Sequence, residues 1–282
     1  MPAETDRTDR NVVQSLAKGF RVLAAFTPDR PELGLAECAR AAGLDNATAF
    51  RMLNTLVQLG YVARVGGTRK FRLTLKCLEL GFSAIARSEL RALARPLLRG
   101  LVGPAIEAAS LAVPDFAGAA GPEIVYVERV QAGLARLGVE VRIGSRVPVH
   151  STAVGQAVVA FLPDETRRAL LAAAPRPART PQTITDLDAL LDRLALVRAQ
   201  GFALSDQENV PGLRVLAAPV LDADGVPIAT LSAAAPAFPL SLAAFDAAAR
   251  APVIAAAAEL SRAASAAGSI AAPDALRARR PA

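Results

Sequence analysis

Apolar residues spaced three and four apart predict two consecutive helices near the start of the chain, because this period gives a helix one buried face. The apolar positions of the first helix are Leu35, Cys38, Ala39 and Ala42. Those of the second helix are Phe50, Leu53, Leu56 and Val57. Gly43 is predicted to end the first helix, and Asp45 or Asn46 to cap the second. So short a connection makes the helices cross as a helix-turn-helix.

The residues after the second helix predict a basic β-hairpin. Its strands are expected at 61–65 and 70–73, with Gly66-Gly67 as a two-residue turn. Its basic side chains, with no acidic residue among them, are Arg64, Arg69, Lys70, Arg72 and Lys76. An earlier helix is predicted to pack beneath this unit through Leu16, Phe20, Leu23 and Ala24. The pattern is that of a winged helix-turn-helix, which places its second helix in a DNA groove.

Seven residues are the candidates for DNA contact. They are Ala47, Thr48, Arg51 and Thr55 on the second helix and Arg69, Lys70 and Arg72 on the wing. Arg51 has the donors to bind a guanine edge bidentately or to reach a phosphate, and the sequence leaves both open. The wing cations are predicted to contact phosphates, which position a protein on DNA without reading its sequence.

The remaining pattern mixes both periods and predicts an α+β domain. Helices are expected from Cys77 to about Ser88 as a linker, then at 89–109 with a break near Pro104, at 151–161, from a Thr185 cap through Ala199, and at 242–264. Strands are expected at 124–129, 137–143, 202–205, 215–221 and 228–234, with a loop at 175–181, Gly201 ending a helix and a hairpin turn at 222–225. In the first of these strands Tyr126 and Glu128 alternate with Val127 and Arg129.

This reading divides the chain into five parts. They are a disordered leader at 1–11, a DNA-binding domain at 12–75, a linker helix at 76–88, an effector-binding domain at 89–265 and a flexible tail at 266–282. Residues 1–76 hold 12 basic and 7 acidic side chains, whereas the other residues hold 20 and 19. The net charge of +6 therefore belongs mostly to the part predicted to meet phosphates.

The composition of the chain argues against a disulfide-bonded, a metal-binding or a membrane protein. Cys38 and Cys77 are predicted to be small hydrophobes within helices rather than a disulfide. With a single histidine in the chain, no cluster has zinc-site spacing, and neither a metal ion nor another cofactor is expected. No signal region or membrane-spanning run is seen, which predicts a cytoplasmic protein without a membrane partner.

The chain resembles the IclR family of bacterial transcriptional regulators over about Val12 to Ala264. The matching segments are Ser15–Leu23, Gly43–Leu53, Leu59–Val62, Gly144–Gly155, Asp206–Glu208 and Gly212–Val220. The segments Val13–Leu16, Leu59–Val62 and Gly212–Arg214 look most like the branch that controls catabolism of aromatic acids. Their order and spacing, rather than any single segment, carry the resemblance.

The resemblance implies an N-terminal winged helix-turn-helix joined by a linker helix to a GAF-like α/β effector-binding domain. It also implies a homodimer or homotetramer on double-stranded DNA, in which a small organic acid alters DNA affinity or polymerase recruitment. A dimer is predicted to read an inverted-repeat operator. No catalytic residue is expected.

The candidate effector residues are His150, Ser151, Thr152, Ala153, Gly155, Ser205, Asp206, Glu208, Val215 and Ser232. The helix start after His150 offers free amides to a carboxylate, although ordinary capping and packing explain the same residues. In the family, the acidic segment borders the pocket. Val215 and Ala234 stand where many members have a cysteine and a serine, whereas Ser232 matches a family serine. This implies a less polar pocket and a larger or more apolar ligand.

The alternative from another class is a small-molecule hydrolase or isomerase with an appended winged helix, using His150, Asp206 and Glu208. Adjacent residues of a strand point to opposite faces, which separates His150 from the neighbouring Ser151. The glycine-framed turn that presents a nucleophilic serine is also absent from the sequence.

Overall fold

The computed structural model describes residues 12–85, 88–116, 121–133 and 141–267, and it divides the chain into two units at 1–86 and 87–282. The leader expected at 1–11, nearly all of the tail expected at 266–282 and the side chain of Phe82 lie outside the described part. Within that part, no helix combines the length and apolar character needed to cross a bilayer.

The N-terminal unit is a winged helix-turn-helix. Its elements are α1 (Gln14–Ala24), β1 (Glu32–Gly34), α2 (Leu35–Ala42), α3 (Asn46–Gln58), β2 (Val62–Arg64), β3 (Lys70–Leu73) and α4 (Cys77–Ile85). The three strands form an antiparallel sheet in the order β1-β3-β2. The predicted helices and wing are confirmed. The three-residue β1 was not predicted, since it depends on Leu33 pairing with Phe71 and entering the core.

The turn between α2 and α3 is as predicted. Gly43 has φ +62°, a left-handed conformation that a side chain would strain. The carboxylate of Asp45 accepts a hydrogen bond from the Thr48 amide at 2.8 Å, so Asp45 rather than Asn46 is the N-cap. This hydrogen bond also lowers the pKa of Asp45. Helix α3 therefore begins at Asn46, directly after its Asp45 cap.

The core of this unit corrects three predictions. Its buried members include Val22, Phe26, Leu33, Cys38, Leu53, Leu56, Val62 and Phe71. Leu16, Phe20 and Phe50 were expected inside but are 61%, 57% and 43% exposed. The buried stripe of α3 is Ala49, Leu53 and Leu56. One residue is about 100° of helix rotation, so Phe50 lies outside that stripe. The two cysteines are free, as predicted.

The wing turn is longer than the Gly66-Gly67 turn predicted. The Val65 amide donates to the Lys70 carbonyl at 2.9 Å, which leaves a four-residue loop at 66–69. Within it, the Thr68 amide donates to the Val65 carbonyl at 3.2 Å, and Gly67 has φ +72°. Arg69 is thus a loop residue at the tip of the wing.

The C-terminal unit is a six-stranded antiparallel sheet with helices on both faces. Its elements are α5 (Ser88–Leu101), β4 (Ala108–Asp115), β5 (Glu123–Gln131), β6 (Arg146–Pro148), α6 (Ala153–Val159), α7 (Asp164–Ala173), α8 (Leu187–Gln200), β7 (Ala203–Asp206), β8 (Leu213–Leu221), β9 (Pro227–Pro236) and α9 (Leu242–Ala266). The strand order is β6-β5-β4-β9-β8-β7. Helices α5 and α9 pack together on one face, and α6 packs with α8 on the other.

One helix prediction and one strand prediction near the start of this unit are wrong. Residues 108–109 were expected at a helix end but begin β4, which is buried on both faces and so shows no two-residue alternation. Val141 and Ile143 were expected in a strand but lie in a loop and a turn, whereas Leu137 and Val139 lie outside the described residues. The edge strand is β6 instead. Helix α7 was not predicted.

The later elements follow their predictions closely, apart from one cap. Helix α8 ends at Gly201 with φ +82° as expected, but its N-cap is Asp186, whose carboxylate accepts from the Ala189 amide at 2.9 Å, and not Thr185. The predicted turn joins β8 to β9, with Asp222 accepting the Asp224 and Val226 amides at 3.0 and 2.9 Å. This hairpin supplies β9, one of the two central strands of the sheet, and its neighbour β8.

Candidate functional site

The free face of α3 presents most of the residues expected to contact DNA. Ala47, Arg51 and Thr55 are exposed, and Thr48 is half-buried at the first turn. The Thr55 hydroxyl donates to the Arg51 carbonyl at 3.0 Å, so its hydrogen is engaged within the helix. Arg51 therefore extends from the middle of this face with its guanidinium available to a base or a phosphate.

The cations of the wing form two groups. Those of the first group point away from the core, and those of the second bond to residues of α3 or just after it. Lys70 and Arg72 flank the buried Phe71 in β3, so both point away from the core on the outer face of the sheet. Arg69 is exposed in the preceding loop. These three side chains are arranged as a phosphate-binding surface requires.

The other two cations of the wing fasten it to α3. Arg64 donates to the Asn54 amide oxygen at 2.8 Å, and its guanidinium lies 5.1 Å from the centre of the Phe71 ring. Lys76 donates to the Leu59 carbonyl at 2.9 Å and lies 5.0 Å from the Tyr61 ring centre. These contacts fix the position of the wing beside α3.

In the C-terminal unit, a cleft opens where the start of α6 meets β5, β7 and β8. It is lined by Tyr126, Val141, Val147, Thr152, Ala153, Val154, Ser205, Asn209, Val210, Leu213 and Val215. Its volume is about 40 Å³, whereas small-molecule sites typically measure ~300–1,000 Å³. An aromatic acid therefore needs outward movement of the wall before it fits.

Four of the ten effector candidates line this cleft, namely Thr152, Ala153, Ser205 and Val215. Sequence reasoning missed the polar lining residues Tyr126 and Asn209. Tyr126 was read only as a strand residue, and Asn209 follows the acidic segment without a motif of its own. Ser232 is buried at a sheet position opposite Ala217, two residues along β8 from Val215.

The start of α6 is tightly packed by its own chain. The Thr152 hydroxyl donates to the Pro148 carbonyl at 2.7 Å and accepts the Gly155 amide at 3.2 Å, so it caps the helix. A Cβ on Gly155 would lie 2.3 Å from the Val149 Cα. The close approach that this glycine permits is therefore to the chain's own backbone.

His150 and Ser151 have separate structural partners. The buried His150 donates from Nε2 to the Pro177 carbonyl at 3.1 Å, while the Ser151 hydroxyl donates to the Asn209 side-chain oxygen at 3.0 Å. Burial lowers the pKa of His150, so the neutral imidazole is favoured. The serine hydroxyl is thus not bonded to the imidazole, which removes the nucleophile–base pair that a hydrolase of this kind would need.

The acidic side chains at the end of β7 and just after it form ion pairs. Asp206 accepts from Arg214 Nε at 2.7 Å. Glu208 is buried and accepts from Arg193 at 2.8 Å and from the Gln156 amide at 3.0 Å. Each carboxylate has a cation, so this segment braces the loop that carries Asn209 to the cleft.

Comparisons with known proteins agree with this architecture. Residues 15–66 match the IclR helix-turn-helix domain, and residues 82–262 match the C-terminal domain described as bacterial transcriptional regulator IclR. The chain is 32% identical over 221 residues to the HTH-type transcriptional regulator XynR of Escherichia coli (strain K12), covering 78% of this chain and 85% of that protein.

Solved structures of similar fold cover most of the chain. The crystal structure of the transcriptional regulator RHA06195 from Rhodococcus sp. RHA1 gives a TM-score of 0.77 at 35% identity, covering 89% of this chain and 98% of that one. An IclR homologue from Microbacterium hydrocarbonoxydans complexed with 4-hydroxybenzoate gives a TM-score of 0.73 at 28% identity, covering 88% and 98%.

Proposed function

Because this chain belongs to the IclR family of bacterial transcriptional regulators, we propose that it controls a catabolic operon through an inverted-repeat operator and an organic-acid effector. The observation that carries the DNA half is the pairing of an exposed α3 face with three outward wing cations. Binding to a chromosomal operator implies that the protein acts in the cytoplasm.

The proposed DNA contacts are the seven residues predicted from the sequence. Ala47, Thr48, Arg51 and Thr55 face the groove, while Arg69, Lys70 and Arg72 face phosphates. Reading an inverted repeat requires two copies of α3, so the working form is a homodimer or a larger even assembly. The exposed Leu16 and Phe20 of α1 and Leu78 of α4 supply apolar surface for such pairing.

The proposed effector site is the cleft at the start of α6. Thr152, Ala153, Ser205 and Val215 support it together with Tyr126 and Asn209, because their segments are far apart in sequence and meet at one cavity. The solved relative that holds 4-hydroxybenzoate supports a hydroxylated aromatic acid as the first effector to test. The other candidates do not line the cleft. The segments that line it are positioned by His150, Ser151, Gly155, Asp206 and Glu208. Ser232 lies on the same face of the sheet as Val215.

Cleft opening connects the two functions. A ligand that binds only the opened cleft shifts the protein toward that form, by an amount set by its difference in affinity for the two forms. The acid therefore changes the fraction of molecules in which the cleft is open. This change alters the affinity of the regulator for DNA.

The DNA half is tested by footprinting the DNA that flanks the gene and measuring affinity for the protected site. We expect Arg51→Ala to cost about 1–3 kcal/mol if it reads a base, and Lys70→Ala to weaken binding on every sequence with a shallower salt dependence. Arg99→Ala, which removes an exposed cation of the C-terminal unit, is the control. Unchanged affinity in both test variants would contradict the assignment.

The effector half is tested by calorimetry with 4-hydroxybenzoate and related acids. Val215→Phe fills the cleft and should abolish acid binding while leaving DNA binding without acid intact. Ser205→Ala should cost about 1–3 kcal/mol if its hydroxyl bonds the ligand, and Ser265→Ala on the exposed face of α9 should cost nothing. Acid binding that survives Val215→Phe would place the effector elsewhere.

A further inference from the structure

One face of the central sheet continues the floor of the effector cleft. Directly opposed residues of antiparallel strands share a face, and alternate residues of one strand share it too. Val215 lines the cleft, and two residues further along β8 Ala217 lies opposite Ser232. Ser232 lies in turn opposite Ser110 of β4. A row of small and hydroxyl side chains therefore leads from the cleft across the sheet to β4.

A β-bulge in β5 adds two larger residues to this face. Leu111 pairs with Glu128 and the next residue, Ala112, pairs with Tyr126, so Val127 is the extra residue. In a regular strand Tyr126 and Arg129 would point to opposite faces. The inserted residue shifts the alternation by one, which brings both side chains to the cleft face.

Hydrogen bonds on the two faces agree with this placement. Arg129 donates to the Ser110 hydroxyl at 3.1 Å, on the face that Ser110 shares with Ser232. Glu128 points the other way and forms an ion pair at 3.0 Å with Arg91 of α5. The bulge thus separates a carboxylate and a guanidinium that are adjacent in sequence, so Glu128 accepts only the backbone amide of Arg129, at 3.2 Å, and not its guanidinium.

Arg129 is a partly buried cation with no carboxylate partner among the described residues. The arginines Arg91, Arg146, Arg193, Arg214 and Arg250 each form an ion pair with an acidic side chain. Burial lowers the pKa of Arg129, because desolvation disfavours its charged form. Removing a cation from water without a counter-charge is unfavourable, so an anion that binds beside it gains more than it would on an open surface.

Tyr126 supplies a second polar group at the same place. Its side chain is only 8% exposed and lines the cleft, yet its hydroxyl forms no hydrogen bond with a described residue. Burial raises the pKa of Tyr126 to about 12, so the phenol keeps its proton and remains a donor at neutral pH. A phenol donor that lies on the wall of the cleft without a partner in the described part of the chain suits a ligand atom that accepts a hydrogen bond.

We propose that Arg129 and Tyr126 bind the carboxylate of the acid effector, with the apolar body of the acid against Val215 and Leu213. The proposal rests on the effector function proposed above and assigns its charged end to the sheet. The start of α6 is the less suitable anchor, since Thr152 already takes the Gly155 amide. The ligand class is a monocarboxylic acid with an apolar or aromatic body.

Calorimetry on the full chain with acids and their uncharged amides tests this assignment. The probes are benzoate, 4-hydroxybenzoate and pyruvate, each beside its primary amide. We expect Arg129→Gln to weaken acid binding by about 10- to 100-fold, the range for a lost hydrogen bond to a charged group, without changing amide binding. Arg129→Lys should restore part of the affinity, and Tyr126→Phe should weaken it by roughly 5- to 10-fold.

Arg146→Gln is the matched control, since it removes a cation from the same sheet that already pairs with Asp115. Operator binding without ligand should be equal in all variants and shows that each is folded. Acids that bind Arg129→Gln as tightly as the native chain would overturn this inference alone. If no acid binds the native chain, the proposed effector function fails and this inference fails with it.

Discussion

Substituting Gly155 by alanine is expected to destabilise the C-terminal unit, although alanine is normally the better helix residue. Gly155 lies in the buried first turn of α6. A Cβ there would lie 2.3 Å from Cα, 2.5 Å from O and 2.8 Å from C of Val149. All three are backbone atoms, so the neighbour has no side chain that can rotate away.

The magnitude follows from two opposed effects. In an open helix, alanine in place of glycine gains about 0.5–1 kcal/mol. Forcing extra volume into a packed interior costs about 1–3 kcal/mol. We therefore expect a net loss of roughly 1–2 kcal/mol for Gly155→Ala. The control is Gly19→Ala in α1, where an added Cβ meets nothing within 4 Å and the helical gain should appear alone.

Urea unfolding of the full chain, followed by circular dichroism, measures both changes. The affinity for acid should fall as well in Gly155→Ala, because displacing α6 from Val149 moves Thr152 and Ala153 in the cleft wall. A Gly155→Ala protein as stable as the native chain, with Gly19→Ala showing its gain, would refute the argument that the two backbones are in contact.

Two further predictions concern stability. The lowered pKa of the single histidine, His150, means that below about pH 6.5 the unfolded chain binds a proton that the folded chain excludes. The free energy of unfolding should therefore fall as the pH drops from 7.5 to 5.5 in denaturant titrations, and His150→Gln should flatten that slope; an unchanged slope would contradict the burial argument. Asp186→Ala should cost about 1 kcal/mol as a lost N-cap, whereas Thr185→Ala should stay within roughly 0.5 kcal/mol. The reverse order in thermal unfolding would restore Thr185 as the cap.

The DNA-binding surface was largely predictable because its elements are local. Gly43, Asp45 and the basic residues of the wing lie within forty residues of one another, and each acts on its immediate neighbours. The sequence pattern could not show which of the wing cations form contacts within the domain itself. Arg64 and Lys76 look like the other wing cations in sequence, yet Asn54 and the Leu59 carbonyl hold them.

The effector cleft was only partly predictable, since its wall comes from segments that meet through the sheet. Thr152, Ser205 and Val215 were found through a family resemblance. Asn209 was missed because its role depends on a loop braced by the Glu208–Arg193 ion pair. Gly155 was predicted to be an effector residue, whereas the backbone of Val149 occupies the space beside it.

The sequence by itself determined the order of most elements, the winged helix-turn-helix, the concentration of positive charge in the first quarter of the chain and the family. These depend on periodicity, caps and composition, which act over a few residues. Only the tertiary structure decided which side chains share a face. Strict alternation places Tyr126 and Arg129 on opposite sides of β5, and the bulge opposite Leu111 and Ala112 reverses this. Such a shift follows from how β5 pairs with β4, because pairing between strands, and not the pattern within one strand, sets where an extra residue is accommodated.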